Sequence, residues 1–509
     1  MTTTLPAPVT IGSATRLTPD LLERAAAGPL AVRLDPATRR RVGDCHRFLL
    51  RCLAEGRPVY GATTGFGALV GLPGRTDAAD QCESLLDHLT AGQGDDLPFE
   101  VVRGTLLARL WALAKGHSGA REQVLDALVA ALDTGFAPAV PELGSVGASG
   151  DLVPTAHLVR GLRGEGPAHL AGRRLPAAEA LRLAGLTPVD LAGRDALALV
   201  NGTSFTAAAA GLALAQLTRS LDAALRLTAL LAELLGSAPD FADPSLLAAY
   251  HHPDASAAGD RLRDLLAGTR PSGERPLQEP YSIRCAPQLL GAAMASVRHA
   301  ASVIEDDLNG ISDNPLFFPE EDRVCHGGNF FGQPVAFAAD LLSLAAVQTA
   351  NLAERQLDLL LDPHRNGGRN PLLAADPGSQ HGLAGVQLTA TAITAQMRRT
   401  ATPASVQSLP TNLHNQDIVP FGTQAALGAY RQARALRLLH GSLALALRQA
   451  AHLGDRLPTA PACAAELDRL AEALPPVSPD RPLAADVRLA ADLLDAAAGD
   501  PPRPGRPSF

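Results

Sequence analysis

Residues 334–362 read PVAFAADLLSLAAVQTANLAERQLDLLLD, a glycine-free run opened by Pro334 and closed by Pro363. Proline is tolerated in the first turn of a helix, where its missing N–H would go unbonded anyway, and it stops a helix that it follows. Between the two prolines Asn351, Glu354, Arg355 and Asp358 return polar at i, i+3, i+4 and i+7, while Leu and Ala fill most of the circumference. That is the period of an α-helix. One helix of roughly 40 Å is expected, at about 1.5 Å per residue.

Similar patterns run through residues 203–235, 287–308, 382–399 and 422–453. Several are apolar almost all round, as suits a helix surrounded by neighbours. Five such helices imply a long bundle, and the apolar stripes left over imply further burial between subunits. Strand signals are few. Gly and Pro interrupt the first two hundred residues often, so the expected division is a smaller, loop-rich N-terminal domain, 1–202, and a helical bundle, 203–509, with a short helical C-terminal segment. Both ends read as loose, the first dozen residues through Thr and Pro and residues 501–507, PPRPGRP, because they cannot continue a helix.

Composition narrows the chemistry. With 44 basic and 52 acidic side chains the net charge is −8, and no basic cluster gives a footprint for nucleic acid. Lys115 is the one lysine, with no glycine-rich loop ahead of it. Pyridoxal phosphate enzymes, imine-forming aldolases and Walker-type nucleotide hydrolases all need a lysine in a defined setting, so these classes fall away. Six widely spaced cysteines without a CxxC read as reduced thiols, and the N-terminus has no basic start before an apolar stretch, so a cytoplasmic enzyme is expected. Residues 196–218 are uncharged and long enough to span a bilayer, but Asn201, Thr203, Ser204 and Gln216 make a buried helix the better reading. His251 and His252 are adjacent and share no helix face, so no metal site is expected.

The most unusual segment is 144–152, GSVGASGDL. Small residues let the backbone approach itself with little obstruction. The ordinary reading is a flexible turn. The sharper one is cyclisation: the Gly150 nitrogen attacks the Ala148 carbonyl, and loss of two waters leaves a methylidene-imidazolone (MIO), an electrophile with Ser149 as its centre.

This segment, with Pro154 after it, resembles the prosthetic-group signature of the aromatic amino acid ammonia-lyase family, whose members act on histidine, phenylalanine or tyrosine. Other segments agree in order and spacing across residues 15–455: 60–67 (YGATTGFG), 199–203 (LVNGT), 278–288 (QEPYSIRCAPQ), 312–315 (SDNP), 327–330 (GGNF) and 415–417 (NQD). Ala62-Thr63, Gln93 and Pro154-Thr155 depart from the commonest family forms. The resemblance implies a homotetramer, an MIO group made from Ala148, Ser149 and Gly150, and neither metal nor pyridoxal phosphate.

It also implies roles. Tyr60, in a glycine-flanked loop able to close, is the expected base at the β-carbon; a phenol titrates near 10, so a nearby arginine or helix N-terminus is expected to favour phenolate. Arg284 is expected to hold the substrate carboxylate through its planar fork. Tyr281 and Asn201 are expected beside the imidazolone oxygen, and Phe330 beside the substrate ring. Asn415 and Gln416 are expected to touch the substrate amine and the prosthetic group. Each keeps an ordinary reading as well: Tyr60 packed under a turn, Arg284 at a helix end, Asn201 as a cap, Phe330 as core, Asn415 and Gln416 opening a helix.

His88-Leu89 stands at the family's selectivity position. Histidine-specific members resemble Ser-His there, phenylalanine-specific ones Phe-Leu and tyrosine-specific ones His-Leu. A neutral imidazole can bond a phenol hydroxyl, while Leu89 would leave an imidazole ring unpaired at a cost of about 1 to 3 kcal/mol. Histidine-specific members also resemble a glutamate at the Gln416 position. L-Tyrosine is therefore the expected substrate and trans-p-coumarate the product; histidine or phenylalanine ammonia-lyase and tyrosine 2,3-aminomutase are the alternatives.

Overall fold

The computed structural model describes residues 8–498, so 501–507 lie outside the described residues, whereas within the first dozen, expected to be loose, Val9–Ile11 forms a strand paired in parallel with Val32–Leu34. The five long patterns form the helices Ser204–Leu235, Ala286–Asn309, Gln333–Leu361, Ala384–Arg399 and Gly422–Leu453. Among the described residues there are eighteen α-helices, and the nine strands have two to four residues each. The fold is mainly α.

Two expected helices are corrected at their starts. Gly382 stays outside its helix because its φ is +55°, and a Cβ there would stand 2.6 Å from Leu372 O and Ala374 N. The uncharged run 196–218 is broken: a helix Asp195–Val200 ends, Asn201 is extended, Gly202 has φ +147°, and a new helix begins at Ser204. Among the described residues one helix, Gln333–Leu361, is long and apolar enough to cross a membrane, and 72% of its apolar window is buried within the protein.

The first two hundred residues are more helical than their Gly and Pro frequency suggests, with eight helices before Ser204. Several of these prolines start helices instead of breaking them. Pro19 and Pro36 follow Thr18 and Asp35, whose side chains accept from the Leu21 and Thr38 N–H groups, at 3.3 and 2.5 Å.

The chain divides into two compact units. The first runs through Ala215 and adds Ala300–Asp340 and Pro403–Tyr430. It holds all nine described strands, in four small sheets, the largest having three antiparallel strands, Ala137–Pro138, Pro167–Leu170 and Arg173–Pro176. At its centre the helix Phe99–Leu113 is buried from Val101 onward, around Leu106, Leu110 and Trp111. The second comprises Gln216–His299, Leu341–Thr402 and the chain from Arg431. It is helical, with Leu230, Leu231, Leu357, Leu360 and Leu443 buried, each contributing about 1.5–3 kcal/mol.

Arg103 lies on the helix Phe99–Leu113, fully buried, and among the described residues no carboxylate is bonded to it. Its guanidinium donates to the carbonyls of Ala25 (3.1 Å), Ala131 (2.8 Å), Leu132 (2.8 Å), Phe136 (3.1 Å) and Gly28. Ala25 and Gly28 belong to the C-terminal end of helix Pro19–Ala27, and Ala131 and Leu132 to that of Glu122–Leu132. These ends carry unpaired carbonyls and the negative pole of the helix dipole. Burial still pushes the guanidinium down to about 10, which leaves it charged at neutral pH. Arg103→Leu leaves these carbonyls without a donor and is expected to destabilise the protein by about 3–5 kcal/mol, read as a lower urea midpoint; an unchanged midpoint would refute the capping role.

Candidate active site

The segment 144–151 enters the helix Leu152–Leu162 through glycines at positive φ, Gly147 at +67° and Gly150 at +70°. Gly150 lies against the Asn201–Gly202 turn so closely that a Cβ would stand 2.2 Å from Gly202 O. Gly202 is bounded on its far side too, where a Cβ would meet Ser312 O at 2.1 Å. Only glycine fits either position.

Asp151 fastens this loop. It is fully buried, and its Oδ1 accepts from Thr423 Oγ1 (2.6 Å), Thr206 Oγ1 (2.8 Å) and Ser145 Oγ (3.0 Å) while Oδ2 accepts from the Thr206 N–H (2.8 Å). Burial pushes its carboxyl up, and the hydroxyl and amide donors pull the other way. The segment 420–424 completes the clamp, with the Phe421 N–H on Val146 O (3.1 Å) and Gln424 Nε2 on Ser145 O (2.6 Å).

Ser149 is half-buried at the top of this loop and carries two side-chain contacts. Asn201 Nδ2 donates to the Ser149 carbonyl at 2.9 Å, and Gln416 Nε2 donates to Ser149 Oγ at 2.7 Å. Cyclisation of residues 148–150 would make that carbonyl the ring oxygen, so an amide donor already faces the oxygen on which charge would develop. The two glycine contacts give the compactness that ring closure needs. The residues therefore fit an MIO group.

Tyr60 opens a loop in which the Gly67 N–H donates to its hydroxyl at 2.8 Å. Its ring meets Phe66 edge-on, centroids 6.4 Å apart, and Phe66 lies 6.1 Å from the His88 ring. The expectation of a favoured phenolate needs correction. Burial raises the Tyr60 phenol above its ordinary value, and the Gly67 N–H and the Arg194 charge only offset part of this.

His88 and Leu89 diverge, as neighbours on a helix do: His88 is exposed and Leu89 buried. His88 Nδ1 lies 2.8 Å from Ser84 O. Phe330 is half-buried, two residues before Gly332, whose N–H donates to Gly147 O at 3.4 Å. Asn415 is exposed and Gln416 half-buried. Tyr281 and Arg284 belong to the second unit. There Arg284 Nε donates to Glu279 O (3.0 Å), its guanidinium stacks 4.7 Å from the Tyr281 ring centroid, and Tyr281 is 71% exposed.

Several supporting groups were not assigned from the sequence. Arg194 pairs with Asp313 in a buried fork at 2.8 and 3.0 Å, and Arg109 donates to Ala198 O (2.8 Å) just ahead of Asn201. Asp307, pushed up to about 6 by burial, accepts from Thr203 Oγ1 at 2.6 Å. The available signal was charge in an apolar helix: Arg103 and Arg109 interrupt Phe99–Leu113.

Residues 17–472 match the family described as aromatic amino acid lyase. The chain belongs to that family. Among its relatives, the histidine ammonia-lyase of Symbiobacterium thermophilum is 39% identical over 484 residues, 94% of each chain. The tyrosine ammonia-lyase of Cereibacter sphaeroides is 40% identical over 504 residues, covering 93% of this chain and 95% of the other. Among solved structures, the tyrosine aminomutase from Streptomyces globisporus superposes with a TM-score of 0.89 at 31% identity, covering 96% and 97% of the two chains. This aromatic amino acid lyase is thus a carbon–nitrogen lyase.

Proposed function

We propose that this lyase removes ammonia from L-tyrosine to give trans-p-coumarate, with an MIO group formed from Ala148, Ser149 and Gly150. The observation that carries the substrate is the state of His88. A carbonyl only accepts, so Ser84 O assigns the proton of the neutral ring to Nδ1 and leaves Nε2 as an acceptor. A substrate phenol can donate to Nε2 and a phenyl ring cannot; an imidazole N–H can as well, and against histidine the reading rests on Leu89 and Gln416. Tyr60 and His88 both pack against Phe66, which supports placing the proposed base and the acceptor in one aromatic cluster. Gln416 adds a neutral amide, suited to an uncharged ring.

In this reading the MIO group supplies an electrophilic methylene that turns the substrate amine into a leaving group. Asn201 holds the Ser149 oxygen, Tyr60 removes the β-proton, and Arg284 orients the carboxylate beside Tyr281. Phe330 and Leu89 border the ring, and Asn415 and Gln416 face the amine. Homotetramer assembly belongs to the same reading, supported by the exposed Leu277, Tyr281 and Leu388, which subunit contact would cover.

Separate incubation with tyrosine, phenylalanine and histidine, following the conjugated acid, tests the substrate. His88→Phe is expected to shift the tyrosine-to-phenylalanine ratio of kcat/KM by about 100-fold towards phenylalanine; an unchanged ratio would remove the argument. The similarity to a tyrosine aminomutase favours a second reading, in which ammonia returns at the β-carbon, and β-tyrosine among the products would establish it.

A further inference from the structure

The turn 411–416 is strained where it meets the Tyr60 loop. Asn412, Leu413 and His414 have φ of +53°, +53° and +62°, three consecutive left-handed residues with no glycine among them. Such residues cost about 1–2 kcal/mol each and persist only where their surroundings hold them. Packing of Leu413 does not hold them, since its side chain is 85% exposed. The turn is closed at its base: the Thr411 N–H donates to Gln416 O (2.9 Å), the Gln416 N–H to Thr411 O (3.4 Å), and Thr411 Oγ1 to Gln416 Oε1 (2.6 Å).

At its tip Asn412 Oδ1 accepts from the Ala68 N–H at 3.3 Å, and a Cβ on Gly67 would stand 2.3 Å from Asn412 Nδ2. Gly67 is the residue whose N–H holds the Tyr60 hydroxyl. Cyclisation would remove Ser149 Oγ, and the path that remains runs from Gln416 through Thr411 and Asn412 to Ala68, Gly67 and the Tyr60 phenol.

We propose that Asn412 is a positioning residue, latching the Tyr60 loop onto the turn that carries Gln416 so that the phenol and the Gln416 amide are set by one network. The proposal rests on the reading of Tyr60 as the base. Asn412 touches no reacting atom; it acts by fixing the Gly67-Ala68 backbone, and misplacement by about 1 Å can cost 100-fold in rate.

The test uses the full-length enzyme, hydrogen exchange and kinetics with L-tyrosine. Asn412→Ala is expected to speed exchange at the Gly67 and Ala68 amides and to lower kcat by about 10- to 100-fold, with KM and the mass of the mature chain little changed. Asn412→Asp keeps the acceptor and is expected to restore most of the rate. Parent-like exchange in Asn412→Ala, or faster exchange with an unchanged kcat, overturns the proposal. Should Asn412→Ala fail to fold, Ala68→Pro removes the same hydrogen bond from the other side and is expected to give the same loss. Where both fold, their effects should not add in the double variant; full additivity overturns the latch. If Tyr60→Phe retains activity, the reading of Tyr60 fails while the exchange result still judges the contact itself.

Discussion

Ser149→Ala is expected to abolish turnover of L-tyrosine, by about 10⁴-fold or more, roughly 5.4 kcal/mol of transition-state stabilisation, while leaving helicity and assembly intact. The variant lacks the hydroxyl that leaves as the second water. Its backbone carbonyl remains to accept from Asn201 Nδ2, and only the Gln416 contact to Ser149 Oγ is lost. Asp151 and its donors, which hold the loop, are untouched. Intact mass gives a second readout: the parent chain should be lighter by two waters than its sequence mass, and the variant should match its own. Retained activity in Ser149→Ala, or a parent at unmodified mass, would reject the electrophile.

Tyr60→Phe is expected to lower kcat/KM by about 10²- to 10⁴-fold, the range of a positioned general base. The pH profile separates chemistry from packing. The base must be deprotonated, and burial raises the Tyr60 phenol above its usual value near 10, so at neutral pH less than about one part in 10³ is phenolate. The parent kcat/KM should therefore rise through the alkaline range as that fraction grows. In Tyr60→Phe the residual activity should lack the Tyr60 contribution to this rise. A rise identical to the parent's would assign the titration to another group or to the substrate amine, and remove Tyr60 as base.

The fold was legible because its signals are local. Pro334 and Pro363 bracket the helix Gln333–Leu361, and the polar stripe from Asn351 to Asp358 has the right period. The start at Ala384 instead of Gly382 was not legible, because the left-handed φ of Gly382 comes from the backbone packed against it. In the candidate site, the run of small residues around Ser149 and Gly150 reads on its own as a flexible turn, and its resemblance to the family signature is what points to a ring. The role of Asp151 was not legible: Thr423, which donates to it, lies 272 residues away. The same holds for Tyr60. Its glycine-flanked loop stood out, and the Gly67 N–H and Arg194 do favour phenolate, but how far burial outweighs them depends on the folded loop.

The clamp on residues 145–151 has a consequence for the order of events during synthesis. Its donors include Thr206, Thr423 and Gln424, so the loop gains its full set of hydrogen bonds only after the ribosome has passed residue 424 and that part of the chain has folded back. A nascent chain ending before the helix Gly422–Leu453 contains Ala148, Ser149 and Gly150 but not the side chains that confine them. Ring closure at these residues, in the proposed reading, is thereby expected to follow the folding of residues 420–424 onto the loop.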